Sequence, residues 1–315
     1  MKTYRGPQIR ILVLGGSGFI GRHAVAALRA HGSSVVIGSR YPARSCDCER
    51  RQIRFENSLR AADWSERLDG IDVVINCVGI LRPRGRETYA RVHHLAPAAL
   101  AMACRDRGCR LIHVSALGLL ATARSGFLRS KIDGEQAIRA SGADWIIVRP
   151  SLLDGDGGFG AKWLRRVARW PLHLVPADAD GRVAALDVHD LGEALARLAL
   201  LPPIPHCNAR DREFDLGGPQ LRTLAEHLAA LRRLYKSRPA WKLRIPGVLA
   251  RLGSHLCDIL HWTPFSFGHW ELLRRDNFPQ RNRLPELLGR APRRVGLSEA
   301  TVRAQPTIPL TAVER

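Results

Sequence analysis

The sequence predicts an α/β fold, with a doubly wound parallel sheet followed by a smaller C-terminal α/β subdomain on the substrate side. Three observations support this prediction. Short apolar runs alternate with amphipathic stretches in the first half of the chain, a glycine-rich turn follows the first apolar run, and the alternation ends after Pro150. We therefore expect one domain over residues 1–150 and a smaller one over residues 151–315, partly interleaved with the first.

The alternation can be followed element by element. Residues 8–15 form an apolar run bounded by glycine, which is typical of a buried strand. The next stretch has apolar residues at helical spacing and reaches a stop at Gly32. Further strands are predicted at residues 34–40, 51–57, 72–77, 109–116 and 144–150, and helices at residues 88–107 and 125–141. Pro97 lies inside the first of these helices and predicts a kink or a later start.

After Pro150 the elements become shorter, and segments rich in proline and glycine separate them. One amphipathic helix is predicted from the spacing of Leu221, Leu224, Leu228 and Leu231. Residues 261–270 are aromatic and flanked by arginine. They indicate either the wall of a substrate pocket or a surface that docks on a membrane or a partner.

Composition narrows the class of protein. The net charge of +20, from 49 Lys+Arg against 29 Asp+Glu, favours anionic partners such as nucleotides or an anionic membrane surface. No RNA-binding motif, zinc finger or basic tail is present, so we expect no nucleic-acid partner. The seven cysteines are scattered, which argues against a disulfide framework, and we expect no metal site.

The chain has no apolar run of the roughly 18 residues that a membrane-spanning helix needs. Its first residues lack the pattern of a signal peptide. We therefore expect a cytoplasmic protein, with peripheral attachment to a membrane as the alternative. No sequence pattern indicates the oligomeric state.

The glycine-rich turn GGSGFIG lies between the first predicted strand and the first predicted helix. Glycines at this spacing let the backbone approach a pyrophosphate, and the helix N-terminus offers free N–H groups. The strand before the turn and the helix after it provide the required context. The turn therefore predicts a Rossmann-type dinucleotide site; the alternative is a βα turn without a ligand. The expected contacts are Gly15, Ser17, Gly18, Phe19, Ile20, Gly21 and Arg22.

The end of the second predicted strand indicates which dinucleotide is bound. A carboxylate at this position would bind the ribose 2′-hydroxyl of NAD, but the strand ends with Ser39 and Arg40. A guanidinium suits a 2′-phosphate, which a carboxylate would repel. NADP(H) is therefore favoured over NAD(H), and Arg22 could assist. The alternative for each arginine is a solvated surface charge.

Five motifs occur in a fixed order: GGSGFIG, VINCVGIL, HVSALG, K-x-x-G-E and VRPSLLDG. Together they resemble the extended or atypical short-chain dehydrogenase/reductase superfamily, which is NAD-dependent epimerase/dehydratase-like. More narrowly, they resemble the branch similar to the NADPH-binding accessory subunit of respiratory complex I, and the later segments ALDVHDLGEAL and REFDLGGP resemble that branch too. The resemblance covers most of residues 8–220 and is looser up to about residue 290.

The resemblance implies further site residues. The loop from Asn76 to Gly79, which includes Cys77 and Val78, would pass the adenosine and the nicotinamide ribose. Ser115 would occupy the usual catalytic Ser/Thr position, and Lys131 would bond the nicotinamide ribose. Arg149, Pro150 and Ser151 would lie beside the nicotinamide. Each residue has a simpler alternative. Ser115 could end a strand and Lys131 could be solvated. Arg149 could pair with a carboxylate such as Asp144 or Asp187.

The superfamily usually has a tyrosine four residues before the lysine, but this chain has Phe127 at that position. A phenylalanine ring cannot donate the proton that carbonyl reduction needs. One interpretation is an NADP(H)-binding protein with weak or no dehydrogenase turnover, in a structural or sensing role. Its partners would then be the dinucleotide and either a larger respiratory assembly or an anionic membrane surface.

A second interpretation is an NADPH-dependent oxidoreductase or epimerase that acts on a carbonyl or quinone-like substrate. Its proton donor would be Ser115, a water molecule, or a carboxylate within residues 154–156. In a third, a nearby tyrosine replaces the missing one. Tyr89 is the only tyrosine between Tyr41 and Tyr235. We discount it because it belongs to an earlier segment. Whether the chain is an enzyme therefore stays open at the level of sequence.

Overall fold

The computed structural model describes residues 9–41, 48–202, 209–236, 238–260, 263 and 265–296. The strands in this part of the chain are β1 Arg10–Leu14, β2 Ser34–Ser39, β3 Glu49–Gln52, β4 Val73–Asn76, β5 Arg110–Val114, β6 Trp145–Pro150, β7 Leu153–Asp154, β8 Leu172–Pro176, β9 Arg182–Ala184, β10 Leu186–Asp187, β11 Glu213–Leu216, β12 Leu221–Thr223 and β13 Trp241–Ile245. The α-helices are α1 Phe19–Ala30, α2 Ala96–Arg107, α3 Gly126–Ala140, α4 Phe159–Ala168, α5 Val188–Leu200, α6 Leu224–Arg233, α7 Gly247–Leu260, α8 Phe267–Leu273 and α9 Leu284–Leu288.

The chain divides into two compact units. The first contains Met1–Pro150 and Val188–Leu216, and the second contains Ser151–Asp187 and Gly217–Arg315. The chain therefore leaves the first unit after β6, returns to it for α5 and β11, and then leaves again. Both units are discontinuous in sequence.

The first unit contains a seven-stranded sheet in the order β11-β6-β5-β4-β1-β2-β3, and every neighbouring pair is parallel. This confirms the predicted doubly wound α/β fold. The strand order reverses at β1, which pairs with β2 on one side and β4 on the other. Ligands of such sheets bind at the carboxyl ends of the strands beside this reversal. Here those ends are Leu14, Gly38 and Asn76, which are register partners.

The helices of the first unit form two groups, since α1 contacts α5 and α2 contacts α3. Glycine makes the first contact close: a Cβ on Gly192 would lie 2.7 Å from the backbone of His23. A large apolar cluster forms the core, and its members include Trp64, Leu100, Leu111 and Ile147. This core supports the sheet from which the candidate site projects.

The later start predicted for the helix at residues 88–107 is confirmed, whereas the predicted start of α6 is wrong. The helix predicted over residues 88–107 begins with a π-helical turn at Ala90–Leu95, and α2 starts only at Ala96. Pro97 therefore lies in the first turn of α2, where its missing N–H is not needed for a hydrogen bond. Leu221 does not belong to α6, because it lies in β12 and is exposed.

The second unit contains three two-stranded sheets, β10-β7, β12-β9 and β13-β8. Its apolar cluster joins α4, β8 and α6 through Val167, Val175, Leu224, Leu228 and Leu231. Among the residues that the structure describes, no helix is both long and apolar enough to cross a membrane.

Candidate nucleotide site

The glycine turn joins β1 to α1 at the carboxyl end of the sheet. Gly15 has a φ of +69°, in the left-handed region that favours glycine. Its N–H donates to the carbonyl oxygen of Gly38 over 2.9 Å. A Cβ on Gly21 would lie only 2.2 Å from the carbonyl oxygen of Gly15. Helix α1 can therefore start directly against the turn only because residue 21 has no side chain.

The N-terminus of α1 is free of side-chain caps within the described chain. The N-cap is Gly18, and no acidic residue occupies the first turn. Uncapped N–H groups and the positive end of the helix dipole stabilise a bound anion. Ser17 and Arg22 are exposed beside this helix start, and the Arg22 guanidinium lies 5.7 Å from the ring centre of Phe19. The arrangement suits a bound pyrophosphate.

The predicted residues at the end of β2 also lie at this edge. Ser39 is buried, and its hydroxyl makes no hydrogen bond to any described residue. Arg40 is exposed, and its guanidinium forms an ion pair with Glu87. The backbone here is held by two hydrogen bonds, from Gln52 to Arg40 and from Ile53 to Ser39. An exposed ion pair contributes only about 0–1 kcal/mol, so an anion could replace Glu87.

The loop after β4 lies against the glycine turn. The side-chain oxygen of Asn76 accepts the N–H of Val78 over 3.0 Å, which fixes the start of the loop. A Cβ on Gly15 would meet the side chain of Val78 at 3.3 Å. The amide nitrogen of Asn76 donates to Nδ1 of His113 over 3.0 Å. Residues 77–79, which we predicted to pass the cofactor, therefore lie next to the turn predicted to hold its pyrophosphate.

Helix α3 positions Phe127 and Lys131. The helix begins after Ser125, whose hydroxyl accepts the N–H of Leu128 over 3.2 Å. Phe127 and Lys131 lie one turn apart and both are buried, with Nζ of Lys131 5.6 Å from the ring centre. Burial lowers the pKa of Lys131 to about 8, although Glu135 acts in the opposite direction. An ammonium group therefore lies beside a ring that has no hydroxyl.

The π-helical turn before α2 holds a buried histidine whose proton can be placed. Nε2 of His93 accepts the N–H of Ile80 over 3.1 Å. Its Nδ1 must then carry the proton and donate to Ser130, 3.1 Å away. The Ser130 hydroxyl in turn donates to the carbonyl oxygen of Phe127 over 3.0 Å. Burial, followed by nearby positive charge, holds the pKa of His93 well below its usual value. His93 thus links the loop after β4 to α3, a role that its sequence pattern did not reveal.

Tyr89 lies next to Phe127 in space. The two rings meet edge to face with their centres 5.8 Å apart, and Tyr89 also stacks on His93 at 5.6 Å. The Tyr89 hydroxyl donates to the carbonyl oxygen of Leu81 over 2.8 Å. Tyr89 belongs to an earlier segment of the sequence, yet the structure brings its ring against that of Phe127. Its hydroxyl, however, has a hydrogen-bond partner in this structure.

The guanidinium of Arg149 lies in a cluster of carboxylates. It donates twice to Glu135, over 2.9 and 2.7 Å, and pairs with Glu213 at 2.9 Å and Asp215 at 3.3 Å. Burial acts to raise the pKa of Glu135, but Arg149, together with Ser115 and Arg139, lowers that pKa below its usual value. Arg149 therefore pairs with carboxylates, as the simpler alternative for this residue supposed. Asp144, one of the carboxylates suggested from the sequence, pairs with Arg110 instead. A contact between Arg149 and nicotinamide stays a prediction.

The other residues predicted at the nicotinamide end follow β5 and β6. Ser115 is buried, and its N–H donates to the carbonyl oxygen of Val148 over 2.8 Å. Its hydroxyl is near enough to Glu135 to help lower the pKa of that carboxyl, but it makes no well-formed hydrogen bond within the described residues. Pro150 ends β6 and pairs with Leu216 of β11. A second buried hydroxyl without a good partner is thus present at this edge.

Buried His113 makes the stability of the protein sensitive to acid. Burial, followed by the charge of Lys131, lowers the pKa of His113 to about 3. The unfolded chain, with an ordinary histidine pKa of about 6.5, binds a proton that the folded chain does not. Stability is therefore complete above about pH 6.5 and is lost as the pH falls towards 3. Between pH 7 and 5 we expect His113 alone to cost about 2 kcal/mol.

Urea unfolding of wild type and His113→Gln at both pH values measures this cost. Between pH 7 and 5, the free energy of unfolding of His113→Gln should fall by about 2 kcal/mol less than that of wild type. The exposed His255 provides a control, since His255→Gln should follow the wild-type curve. Parallel losses in wild type and His113→Gln would contradict a neutral, buried His113.

Comparisons with known proteins support a nucleotide-binding domain in this part of the chain. A family model described as NAD(P)H-binding matches residues 15–166. A ceramide reductase of Caulobacter vibrioides is 31% identical over 196 residues, which are 61% of this chain and 61% of that protein. The mitochondrial NADH dehydrogenase (ubiquinone) 1 alpha subcomplex subunit 9 of Rattus norvegicus is 33% identical over 156 residues, which are 45% of this chain and 40% of that protein.

A solved nucleoside-diphosphate-sugar epimerase of Staphylococcus aureus has a TM-score of 0.71 at 16% identity, covering 91% of this chain and 98% of that one. This similarity concerns the fold alone. The chain spans less than two thirds of the length of the two curated relatives. The parallel sheet, the glycine turn and these similarities all indicate a nucleotide-binding domain. The chain contains an NAD(P)H-binding domain over residues 15–166 and is similar in sequence to a ceramide reductase and to a complex I subunit.

Proposed function

We propose that the chain binds NADP(H) in preference to NAD(H) and turns it over weakly or not at all, in a structural or sensing role. The observation that supports low turnover is the pair on α3. Buried Lys131 lies beside the ring of Phe127, where the superfamily usually has a tyrosine. The cofactor pocket would thus be kept while the usual proton donor is lost.

The first unit would hold the dinucleotide, and the second would contribute contacts to a substrate or partner. The residues proposed to hold the cofactor are Gly15, Ser17, Gly18, Phe19, Ile20, Gly21 and Arg22 at the pyrophosphate, Ser39 and Arg40 at the adenosine ribose, Cys77, Val78 and Gly79 along the loop, and Lys131, Arg149 and Pro150 near the nicotinamide. When bound, the cofactor supplies a hydride. The fit rests on the uncapped α1 and on the clash that any Cβ at Gly21 would cause.

The environments of three other candidate proton donors, Glu135, Tyr89 and Ser115, are consistent with low turnover. Glu135 is ionised and paired with Arg149, so it has no proton to give. The Tyr89 hydroxyl donates to a backbone carbonyl. Buried Ser115 has a hydroxyl, but a serine can relay a proton only if another group supplies it.

The alternative is an NADPH-dependent oxidoreductase or epimerase acting on a carbonyl or quinone-like substrate with a donor other than residue 127. Two observations favour it. The Ser115 hydroxyl makes no well-formed hydrogen bond within the described chain, and the Tyr89 ring touches that of Phe127. The reductase name of the Caulobacter relative is consistent with it.

Calorimetric titration of the protein with NADPH and with NADH tests the cofactor preference. Arg40→Gln should weaken NADPH binding about tenfold, because a charge-assisted bond to the 2′-phosphate is lost. NADH binding should hardly change. Glu87→Gln should strengthen NADPH binding, because it removes the carboxylate that pairs with Arg40.

A matched control is Arg60→Gln, which removes the same charge from an exposed ion pair with Asp63 elsewhere in the first unit. NADPH affinity should be unaffected by it. If NADH binds as tightly as NADPH, or if Arg40→Gln weakens both equally, the proposed preference is wrong.

A protein that holds NADPH without consuming it acts through its partners. The similarity to a complex I subunit supports a larger respiratory assembly, and the net charge of +20 supports an anionic membrane surface. We place the protein in the cytoplasm under this proposal, with peripheral attachment to a membrane as the way it would reach either partner.

A further inference from the structure

Helix α7 in the second unit turns its apolar side outwards. Val248, Leu252, Leu256 and Ile259 recur at helical spacing and are 80%, 67%, 54% and 73% exposed. The buried side of the helix has only small residues, such as Ala250 and Ser254. An amphipathic helix of a folded domain normally buries its apolar stripe. Helix α7 instead exposes its apolar stripe to solvent and buries its small residues.

The sheet formed by β8 and β13 also exposes large apolar side chains to solvent. Trp241 and Leu243 pair with Leu172 and Leu174, and all four side chains are exposed. Directly opposite residues of paired strands project from the same face. The other side of β8 is buried and includes His173. The outer face of this small sheet is therefore built from large apolar side chains.

Only Pro246 separates β13 from α7, so both apolar surfaces belong to one continuous segment with β8 beside it. We call the exposed apolar side chains of β8, β13 and α7 the apolar face. Its members are Leu172, Leu174, Trp241, Leu243, Val248, Leu249, Leu252, Leu256 and Ile259. Large apolar side chains that are exposed in such number along one segment mark a candidate site of association with a protein or a membrane.

Charge indicates what covers the apolar face. Exposed Lys236 and Arg238 precede this segment, exposed Lys242 and Arg251 lie within it, and the sequence has no Asp or Glu between residues 236 and 257. Arg244 is also exposed but pairs with Asp180. A second copy of the chain would bring these positive charges together, which is unfavourable. Anionic lipid head groups would neutralise them while the apolar residues enter the acyl boundary.

Two described aromatic residues of the segment predicted to dock, Phe267 and Trp270, are not part of the apolar face. Trp270 is buried, and its ring N–H donates to Asp178 over 3.2 Å. Phe267 stacks between Trp270 and His255, with ring centres 5.5 and 4.4 Å away. Residues 261 and 262 lie outside the described chain. Within the described part, these aromatic rings support α7 from within the second unit.

We propose that the apolar face docks on a bilayer that contains anionic phospholipid, with α7 lying in the plane of the interface. The helix has 14 residues, whereas a transmembrane helix needs about 20, so it can enter the interface but not span the membrane. Trp241, 80% exposed, would lie at the level of the head groups, where tryptophan is favoured. This docking surface is independent of the proposed cofactor preference.

Flotation of the full chain with lipid vesicles tests the proposal. We expect binding to vesicles of roughly three parts phosphatidylcholine to one part phosphatidylglycerol, weaker binding to phosphatidylcholine alone, and loss of binding at high salt. The triple variant Val248→Ser, Leu252→Ser, Ile259→Ser should lower the bound fraction about tenfold. Lys242→Gln with Arg251→Gln should weaken binding to the anionic vesicles alone.

The matched control is the double variant Leu95→Ser, Met102→Ser in the first unit, where both apolar side chains are exposed to a similar partial extent, 42% and 44%. Its vesicle binding should equal that of wild type. Thermal melting and NADPH titration of every variant report folding independently of the membrane. The three serine substitutions on α7 replace side chains that face solvent. The melting temperature and the NADPH affinity of the triple variant should therefore hardly change.

Three results would overturn the proposal. The first is wild type that fails to float with anionic vesicles. The second is equal vesicle binding by wild type and the α7 triple variant. The third is a dimer in solution that dissociates in the triple variant and does not bind vesicles, which would identify a second copy as the occupant of the apolar face.

Discussion

Gly21→Ala should abolish nucleotide binding and destabilise the protein by roughly 3 kcal/mol. The added Cβ would lie 2.2 Å from the carbonyl oxygen of Gly15 and 2.7 Å from Cα of Gly16. Both atoms belong to the backbone, so neither can rotate away. Either α1 must lift from the turn or the turn must open, and each movement displaces the N–H groups proposed to bind the pyrophosphate. Urea unfolding and NADPH calorimetry measure the two effects.

Gly160 provides a matched control near the start of α4. A Cβ there would meet nothing within 4 Å. Gly160→Ala should leave NADPH binding unchanged and stabilise the protein by up to about 1 kcal/mol, since alanine favours helix. If Gly21→Ala bound NADPH with wild-type affinity, α1 would not depend on the close contact with the turn.

Phe127→Tyr should raise NADPH oxidation by about 10²-fold or more with a suitable quinone or carbonyl acceptor. The new hydroxyl would be on a ring whose centre is 5.6 Å from Nζ of Lys131. Positive charge there favours the phenolate and so lowers the pKa of a tyrosine. The variant would regain a proton donor while the proposed cofactor contacts remain. Initial rates of NADPH consumption over a panel of acceptors measure the gain.

Two further variants identify the source of any activity. Phe127→Tyr combined with Lys131→Met should lose the gain, because the neighbouring charge is absent. Tyr89→Phe in the wild-type background should have no effect. If Tyr89→Phe removes a wild-type activity, Tyr89 is the donor and the chain is an enzyme. If Phe127→Tyr binds NADPH but stays as slow as wild type, residue 127 is not what limits turnover.

The sequence predicts the nucleotide half of the fold well because its signals are local. Each buried strand of the sheet centre is a short apolar run, and the turn at Gly15 needs a residue that tolerates positive φ. Ser125 is a strong N-cap, so the start of α3 could be placed within one residue. Each of these features is determined by residues that are adjacent in the sequence, so the sequence alone is enough to predict it.

The site could be predicted only where its parts are adjacent in sequence. Arg149 takes two of its three carboxylates from β11, more than 60 residues later. Tyr89 reaches Phe127 through a π-helical turn that no periodicity indicates. For α7, the spacing of leucines predicts an apolar stripe, but it cannot tell whether that stripe faces the core or the solvent.

The discontinuity of the first unit has a consequence for synthesis of the chain. Strand β11 is the last strand of the sheet, and it follows the whole first segment of the second unit. During synthesis, the edge of β6 that pairs with β11 therefore stays unpaired until residue 216 has left the ribosome. During that interval Arg149 lacks Glu213 and Asp215. Exposed sheet edges invite aggregation, so a nascent chain paused before residue 216 is the species most in need of a chaperone.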